Sequence, residues 1–186
     1  MPHRVIQHLG YTGLTIAIAA AIAIPIGLWI GHTGRLRGVA VVSSGALRAL
    51  PTLGVLTYLS LFTGIGIKAA IFTLVLLAVP PLLAGAYAGL GAVDRQTIDA
   101  ARAIGMTEWQ ILTKVEVPLA LPLIVGGFRS ATLQVVATAT IAAAIPGPGG
   151  LGRYLIDGLA LSDYPRVVAG SVVVIVLALV LDGLFV

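Results

Sequence analysis

Five long apolar runs alternate with short polar or glycine-rich stretches along this chain. A helix needs about 20 apolar residues to cross the hydrocarbon core of a bilayer, and each run is close to that length. The pattern therefore predicts an all-α integral membrane protein with one transmembrane domain over residues 1–186. The predicted spans cover about 12–30, 39–62, 69–91, 118–145 and 164–186.

One long polar segment, at residues 94–117, interrupts the apolar pattern and predicts two short helices joined at a corner. Asp94 is placed to cap the first helix. Gly105 is placed to end it, because glycine adopts the left-handed conformation at little cost. Thr107 and Gln110 have the spacing of a capping box for the second helix. Pro118 then begins a new helix, in whose first turn its missing N–H is not needed.

The first of these short helices is predicted to carry a surface of small residues. Ile98, Ala101 and Ile104 are predicted to share one side, and Ala100 lies next to Ala101. A short helix with such a shallow surface can enter the groove of a partner protein closely. The alternative interpretation is an ordinary amphipathic hairpin between two spans.

Composition agrees with a membrane protein and limits what else the chain can do. Of the 186 residues, 59% are hydrophobic and 10% are charged, and the mean hydropathy is +1.08. Soluble domains carry about 25% charged residues. The net charge of +4 is typical of Lys and Arg at the cytoplasmic face, rather than of nucleic-acid binding. The chain has no cysteine for disulfides and no glycine loop ending in Lys-Ser or Lys-Thr for ATP.

The amino-terminal part of the chain allows two interpretations. The first apolar run has the charged start and Ala-rich core of a signal peptide, but Pro25 and Gly27 stand where cleavage would occur, so a retained helix is favoured. His3, His8 and His32 are predicted to lie in the terminus or in a loop, without the spacing to acidic residues that a metal site needs. The sequence therefore predicts no metal site and no intramembrane enzyme.

Several residues within the predicted spans are unusual for a helix that faces lipid. Pro51 follows Arg48 closely and is expected to bend its helix. Arg48 either extends to the cytoplasmic interface or helps to line the inner mouth of a pathway. Arg129 and Gln134 favour a position that faces protein or water, either for hydrogen bonds between helices or for contact with a solute.

Proline and glycine positions predict bends and close approaches. The pair Pro80–Pro81 is expected to break or strongly kink the third span. Gly85 and Gly89 form a small-residue face, which predicts internal packing or subunit contact. Residues 146–152, which read Pro-Gly-Pro-Gly-Gly-Leu-Gly, are predicted to form an irregular outer loop before a short helix over about 153–161.

The polar segment resembles a known motif. It is similar to the EAA loop of ABC importer permeases, with Asp in place of Glu. The matching residues are Asp99-Ala100-Ala101, then Gly105 after three residues, and then Val115-x-Val117-Pro118, whose Pro118 is the last residue of the motif. The stretches 48–52, 117–127, 145–153 and 158–159 also resemble the glycine betaine/carnitine/choline permease family. The resemblance covers about 12–186. Methionine permeases share much of the same pattern, including Gly-Gly-Leu-Gly.

This resemblance implies a type I (MetI-like) importer subunit of the bacterial cytoplasmic membrane, with five spans and a cytoplasmic coupling helix. It also implies partners: ABC ATPase subunits that bind the ATP and Mg²⁺, a second permease subunit, an extracytoplasmic substrate-binding protein, and membrane lipid. The implied ATPase-coupling residues are Asp99, Ala100, Ala101, Ile104, Gly105 and Pro118. The candidates for the pathway or for hinges are Arg48, Pro51, Pro80, Pro81, Gly126, Gly127, Arg129 and Gln134. The candidates in an outer loop that faces the binding protein are Gly149, Gly150 and Gly152.

Orientation and solute follow from the same resemblance. A cytoplasmic segment 94–117 places the amino terminus outside and the carboxyl terminus inside, and the abrupt end of the sequence indicates a trimmed carboxyl end. The predicted solute is an osmoprotectant such as glycine betaine, carnitine, choline or proline betaine. With 6% aromatic residues a full aromatic cage is not expected here, so the receptor protein is expected to select the solute. The open alternatives are an importer of methionine or of an ergothioneine-like betaine and, in another class, a passive channel or membrane scaffold.

Overall fold

The structure, a computed structural model, describes residues 2–147 and 149–185, and all the regular structure in those ranges is helical. A single π-helical turn, Leu112–Glu116, joins α6 to α7. The helices are α1 (Pro2–Thr33), α2 (Arg37–Ala49), α3 (Thr52–Thr63), α4 (Ile67–Gly91), α5 (Arg95–Ala103), α6 (Glu108–Ile111), α7 (Val117–Ala142), α8 (Gly152–Ala160) and α9 (Tyr164–Gly183).

Helix α4 lies at the centre of the bundle and packs along both α1 and α7. Their shared core is built largely from small and aliphatic side chains, such as Ala23 of α1, Ala78 of α4 and Ala131 of α7, each fully buried. Lipid is as apolar as these side chains, so association in a membrane depends on close packing and favours small residues. The alanine-rich sequence therefore builds a tight three-helix centre.

Glycines bring the backbones of these helices into contact. A Cβ atom at Gly85 would lie 2.8 Å from the Cα atom of Gly127, and one at Gly89 would lie 3.1 Å from the Cβ atom of Ala120. A Cβ atom at Gly27 of α1 would lie 2.6 Å from that of Ala86. The prediction that Gly85 and Gly89 form a close-packing face is confirmed, and the contact is internal.

The second predicted span is bent at Pro51, as expected. Helix α2 ends at Ala49, Pro51 is the cap of α3, and the two helices meet at 89°. Among the described residues, four helices are long and apolar enough to cross a membrane, and up to five if this bent pair is one span. This arrangement agrees with the five-span pattern of the sequence.

The expected break at Pro80–Pro81 is wrong, because α4 runs without interruption from Ile67 to Gly91, whereas the alternative expectation of a strong kink stays a prediction. Both prolines are buried between the neighbouring helices. A proline inside a helix removes one backbone donor and crowds the preceding turn, but packing against neighbouring helices can compensate in a membrane protein. The close contacts of α4 with α1 and α7 supply that packing.

The amino-terminal segment is also different from the prediction. Helix α1 begins at Pro2 and contains the predicted span 12–30 within 32 residues. His8 is fully buried on this helix and His32 lies in its last turn, so neither is in a terminus or a loop. Both histidines are held by residues more than 80 positions away, and sequence neighbours gave no indication of these contacts.

Candidate functional site

The polar segment 94–117, which we call the elbow, folds through local caps. The side chain of Asp94 accepts a hydrogen bond from the backbone N–H of Gln96 at 3.0 Å and begins α5. Gly105 follows this helix with a φ of +86°, in the left-handed region. Thr107 and Gln110 form a complete capping box for α6. The predicted caps and corner are therefore confirmed.

The inner side of the elbow is a small apolar core. Ile98 is 2% exposed, Ala101 is 6% exposed and Ile111 is fully buried, so α5 packs against α6. Their partly buried neighbours are Val93, Met106 and Val115. Ala101, one of the proposed coupling residues, thus faces into the elbow and supports its shape.

The outer side of the elbow carries the remaining motif residues. Asp99, Ala100, Gly105 and Pro118 are exposed, and Ile104 is 80% exposed. The prediction that Ile104 shares a side with Ile98 and Ala101 is wrong. Helix α5 ends at Ala103, so the helical period no longer sets the direction of the Ile104 side chain. An exposed isoleucine at a corner is an apolar contact point that the rest of the described structure leaves uncovered.

The elbow continues directly into the membrane bundle. Helix α6, the π-helical turn and α7 form one helical rod over Glu108–Ala142, and Pro118 lies in the first turn of α7, as predicted. Single π-helical turns are uncommon and frequently occur at functional sites. The elbow is therefore connected to the core of the bundle by a continuous helical rod.

A cluster of polar side chains fastens the elbow to the end of α1. Nδ1 of His32 lies 2.5 Å from Oε2 of Glu116, whose side chain is 3% exposed. Nε2 of the same histidine lies 3.4 Å from Oε2 of Glu108. A buried carboxylate is costly without a hydrogen-bond donor, and His32 provides one for Glu116.

The same cluster extends to the exposed face of α5. Arg102 donates to both carboxylate oxygens of Glu108, at 2.8 and 3.1 Å, and its Nη1 lies 3.4 Å from Oδ1 of Asp99. The hydrogen bond to Glu108 raises the pKa of Arg102, and the same bond lowers the pKa of Glu108. Polar contacts thus run without a gap from Asp99, in the motif, to His32 on α1.

The pathway candidates occupy different positions. Arg129 on α7 forms a bidentate ion pair with Asp182 on α9, with N–O distances of 2.5 and 2.7 Å. Gln134 is half-buried, and Arg48 is exposed in the last turn of α2, next to the bend at Pro51. Sequence reasoning did not identify Asp182 as a partner for Arg129.

The glycine-rich loop at the opposite end packs inward. Gly149, Gly150 and Gly152 are all buried. Gly150 has a φ of +82° and donates its N–H to Oε1 of Gln7 at 3.3 Å, while a Cβ atom at Gly152 would lie 2.1 Å from the carbonyl oxygen of Thr140. These glycines allow the loop to close against α1 and α7. Pro148 of the predicted loop lies outside the described residues.

The comparisons with known proteins agree with this geometry. The structure is an apolar helical bundle with a polar elbow anchored at one end. Inward-facing structures of the MetNI methionine ABC transporter match it with a TM-score of 0.85 at 24% identity, over 98% of this chain and 91% of that chain. An amino acid ABC transporter with histidines matches with a TM-score of 0.75 at 21% identity, over 98% and 89% of the two chains. These likenesses show the fold.

The family model described as "Binding-protein-dependent transport system inner membrane component" matches residues 23–186, and the chain belongs to this family. The carnitine transport permease protein OpuCB of Listeria monocytogenes is 32% identical over 95% of this chain and 80% of that protein. The glycine betaine/carnitine/choline transport system permease protein OpuCB of Bacillus subtilis is 31% identical, over 95% and 81%. The osmoprotectant import permease protein OsmW of Salmonella typhimurium is 34% identical, over 96% and 85%.

The chain is therefore a multi-pass inner-membrane permease subunit of a binding-protein-dependent ABC importer, and it is not an enzyme. Among the residues that the structure describes, no group of three or more His, Asp or Glu side chains could hold a metal ion.

Proposed function

We propose that this permease imports a small quaternary-ammonium osmoprotectant, such as glycine betaine, carnitine, choline or proline betaine. The observation that carries the proposal is the similarity of 31–34% to permeases named for such solutes, over 95–96% of the chain. The similarity of 24% to a methionine importer supports a common fold only. Import of methionine, or of an ergothioneine-like betaine, is the alternative that the uptake test must separate.

The exposed side of the elbow is proposed to dock on a separate ATPase subunit, which would bind the ATP and Mg²⁺. Asp99, Ala100 and Ile104 present a shallow surface with one exposed apolar side chain. Ala101 and Gly105 set the shape of that surface, and Pro118 lies at the start of the rod that leads into the core. The polar cluster around His32 supports this role, because it connects the elbow to α1.

The same role gives the orientation. The elbow lies in the cytoplasm if it meets an ATPase, so the amino terminus of α1 lies outside and the end of α9 lies inside. Helix α1 spans about 48 Å at a rise of about 1.5 Å per residue, which is enough to cross the membrane completely. The glycine-rich loop then belongs to the outer side, where the extracytoplasmic binding protein would deliver its solute.

Charged side chains within the apolar helices are proposed to mark the pathway. The side chain of Arg129 is 43% exposed and that of Asp182 is 26% exposed in the isolated chain, although both lie on apolar helices. Charges on such helices are costly toward lipid and usually face protein or water. This face of α7 and α9 is therefore assigned to the pathway, or to a second permease subunit beside it, with Arg48 and Gln134 as further candidates.

The candidate hinges separate into two groups. Pro51 is the best supported, because the chain already turns by 89° there and the residue is exposed. Pro80, Pro81 and Gly127 lie in continuous helices at buried contacts, so packing is the role we assign to them. Gly126 has open space around it, so bending is the role we assign to it.

Transport in a reconstituted system tests the function. The chain is purified with its ATPase subunits and its extracytoplasmic binding protein, placed in liposomes, and given radiolabelled glycine betaine, carnitine, choline, methionine and ergothioneine. We expect ATP-dependent uptake of one or more of the quaternary-ammonium osmoprotectants. ATP-dependent uptake of methionine or ergothioneine alone would show that the proposed solute is wrong and that the compound taken up is the substrate. Uptake without ATP, or failure of any ATPase to co-purify, would favour a passive channel or a scaffold.

A further inference from the structure

A basic cavity lies at the end of the bundle opposite the elbow. Its volume is about 210 Å³, and it is lined by Arg4, Arg153, Tyr154 and Arg166. Arg4 is in the first turns of α1, whereas His32 at the other end of that helix contacts the elbow. Twenty-eight positions of helix separate these two residues, about 42 Å at a rise of about 1.5 Å per residue. The cavity is therefore an outer-face feature if the elbow is cytoplasmic.

The arginines are held in place by neighbouring side chains. Nη1 of Arg153 lies 3.3 Å from Oδ1 of Asp157, and Nη2 of Arg166 lies 3.6 Å from Oδ2 of the same carboxylate. The guanidinium of Arg166 also lies over the ring of Tyr154, at 5.7 Å from its centroid. These contacts orient two guanidinium groups while sharing a single negative charge between them.

Arg4 adds a third positive charge from a different helix. Its Nη1 donates to Oε1 of Gln7 at 3.2 Å, and this glutamine also accepts the N–H of Gly150. The closed glycine loop thus positions Gln7, and Gln7 in turn positions Arg4. The lining of the cavity thus contains three guanidinium groups and no acidic side chain, while Asp157 pairs with Arg153 and Arg166 from outside it.

The chemistry and size of the cavity indicate its ligand. Guanidinium groups bind carboxylates through paired hydrogen bonds, and arginine is the side chain best suited to such planar recognition. Sites for small molecules usually measure about 300–1,000 Å³. A cavity of about 210 Å³ is smaller than that and fits a carboxylate side chain better than a whole solute or a lipid headgroup.

We propose that this cavity, formed by Arg4, Arg153 and Arg166, receives an acidic side chain of the extracytoplasmic binding protein when that protein docks. The inference rests on the proposed function, which supplies the outward orientation and the binding protein. Charge complementarity selects the partner, because an excess of arginine at the outer face attracts and orients an acidic surface. Positive charge is usually concentrated on the cytoplasmic side of a membrane protein. A docking role at the outer face accounts for the presence of three arginines there.

The test measures docking of the binding protein to the assembled importer. The probe is the solute-free binding protein that restores solute-stimulated ATP hydrolysis to the reconstituted wild-type importer. Its affinity is measured on importers in nanodiscs for wild type, Arg4→Gln, Arg166→Gln and the double variant. Lys68→Gln is the matched control, because Lys68 is an exposed cation in the first turn of α4, at the same end of the bundle and outside the cavity.

We expect each single variant to bind about three- to tenfold more weakly and to lose part of the salt dependence of binding, with Lys68→Gln close to wild type. Basal ATP hydrolysis should be unchanged, which shows that the variants are folded. Equal affinity for wild type and both arginine variants would overturn the proposal. So would a loss confined to nanodiscs that contain anionic phosphatidylglycerol and absent from phosphatidylcholine alone, which would assign the cavity to a headgroup.

Failure of this inference can be distinguished from failure of the proposed function. If wild type shows ATP-dependent osmoprotectant uptake while the arginine variants dock normally, only the cavity assignment is wrong. If no binding protein stimulates the wild-type importer, the proposed function fails before the variants are compared.

Discussion

Removal of the His32 side chain tests whether the elbow is fastened to α1. His32 supplies the hydrogen-bond partner of Glu116, whose carboxylate is 3% exposed and contacts Nδ1 at 2.5 Å. A hydrogen bond to a charged group contributes about 1.5–3 kcal/mol, and an unsatisfied buried carboxylate adds a desolvation cost. We therefore expect His32→Ala to lower the free energy of local unfolding of the elbow by about 2 kcal/mol, or about 30-fold in the opening equilibrium.

Hydrogen–deuterium exchange on the purified chain in nanodiscs provides the measurement. Amides in 108–116 should exchange about 10- to 100-fold faster in His32→Ala, while amides within α4 should be unchanged. His3→Ala is the matched control, because His3 is an exposed histidine near the other end of the same helix. In the assembled importer, we expect His32→Ala to transport fewer solute molecules per ATP hydrolysed.

A double-mutant cycle with Glu116→Ala separates the pairwise interaction from nonspecific loss of packing. The two residues are in contact, so the effects of the single variants should not add, and the interaction energy should be about 1 kcal/mol or more. Additivity within about 0.5 kcal/mol, or unchanged exchange in His32→Ala, would refute the reasoning that this pair anchors the elbow.

Three other perturbations test the packing, the corner and the charge pair. Gly85→Ala would place a Cβ atom 2.8 Å from the α7 backbone and should destabilise the bundle by about 1–3 kcal/mol. Gly126→Ala is the control, because its Cβ atom would meet nothing within 4 Å. Equal thermal unfolding midpoints for the two variants would contradict the close packing of Gly85. Gly105→Val forces a branched residue to a φ of +86° and should abolish solute-stimulated ATP hydrolysis without affecting membrane insertion. Full uptake by this variant would contradict the coupling role of the corner. Arg129→Gln leaves the Asp182 carboxylate without its partner and should reduce uptake at least about tenfold. The double variant Arg129→Gln/Asp182→Asn should recover thermal stability but not uptake. If the double variant also recovered uptake, the ion pair would have a structural role alone.

The two ends of α1 make different contacts. One end is held by His32 against the elbow, and the opposite end carries Arg4 beside the closed glycine loop. One continuous helix connects both ends, so the proposed docking on the ATPase at the elbow and the proposed docking of the binding protein at the basic cavity would act on the same structural element. The predictions for His32 and for the basic cavity therefore test opposite ends of α1.

The sequence by itself determined the features that depend on near neighbours. The apolar runs specified the helices, Asp94 and the Thr107–Gln110 box specified the caps of the elbow, and Gly105 specified its corner. These signals involve residues within about four positions of each other, and the backbone conformation they favour changes little with the rest of the fold. The glycine spacing of α4 belongs with them, because small residues repeated on one helical face leave room for another helix.

The tertiary structure alone decided which distant residues meet. His32 and Glu116 are 84 positions apart, Arg129 and Asp182 are 53 apart, and His8 and Val136 are 128 apart. No local pattern encodes such pairs, because they arise from the order in which α1, α4, α7 and α9 pack. The same packing kept α4 continuous through its two prolines and buried the glycines expected to face a partner. Local signals specify the elements, and their contacts depend on how complete helices fill the space around one another.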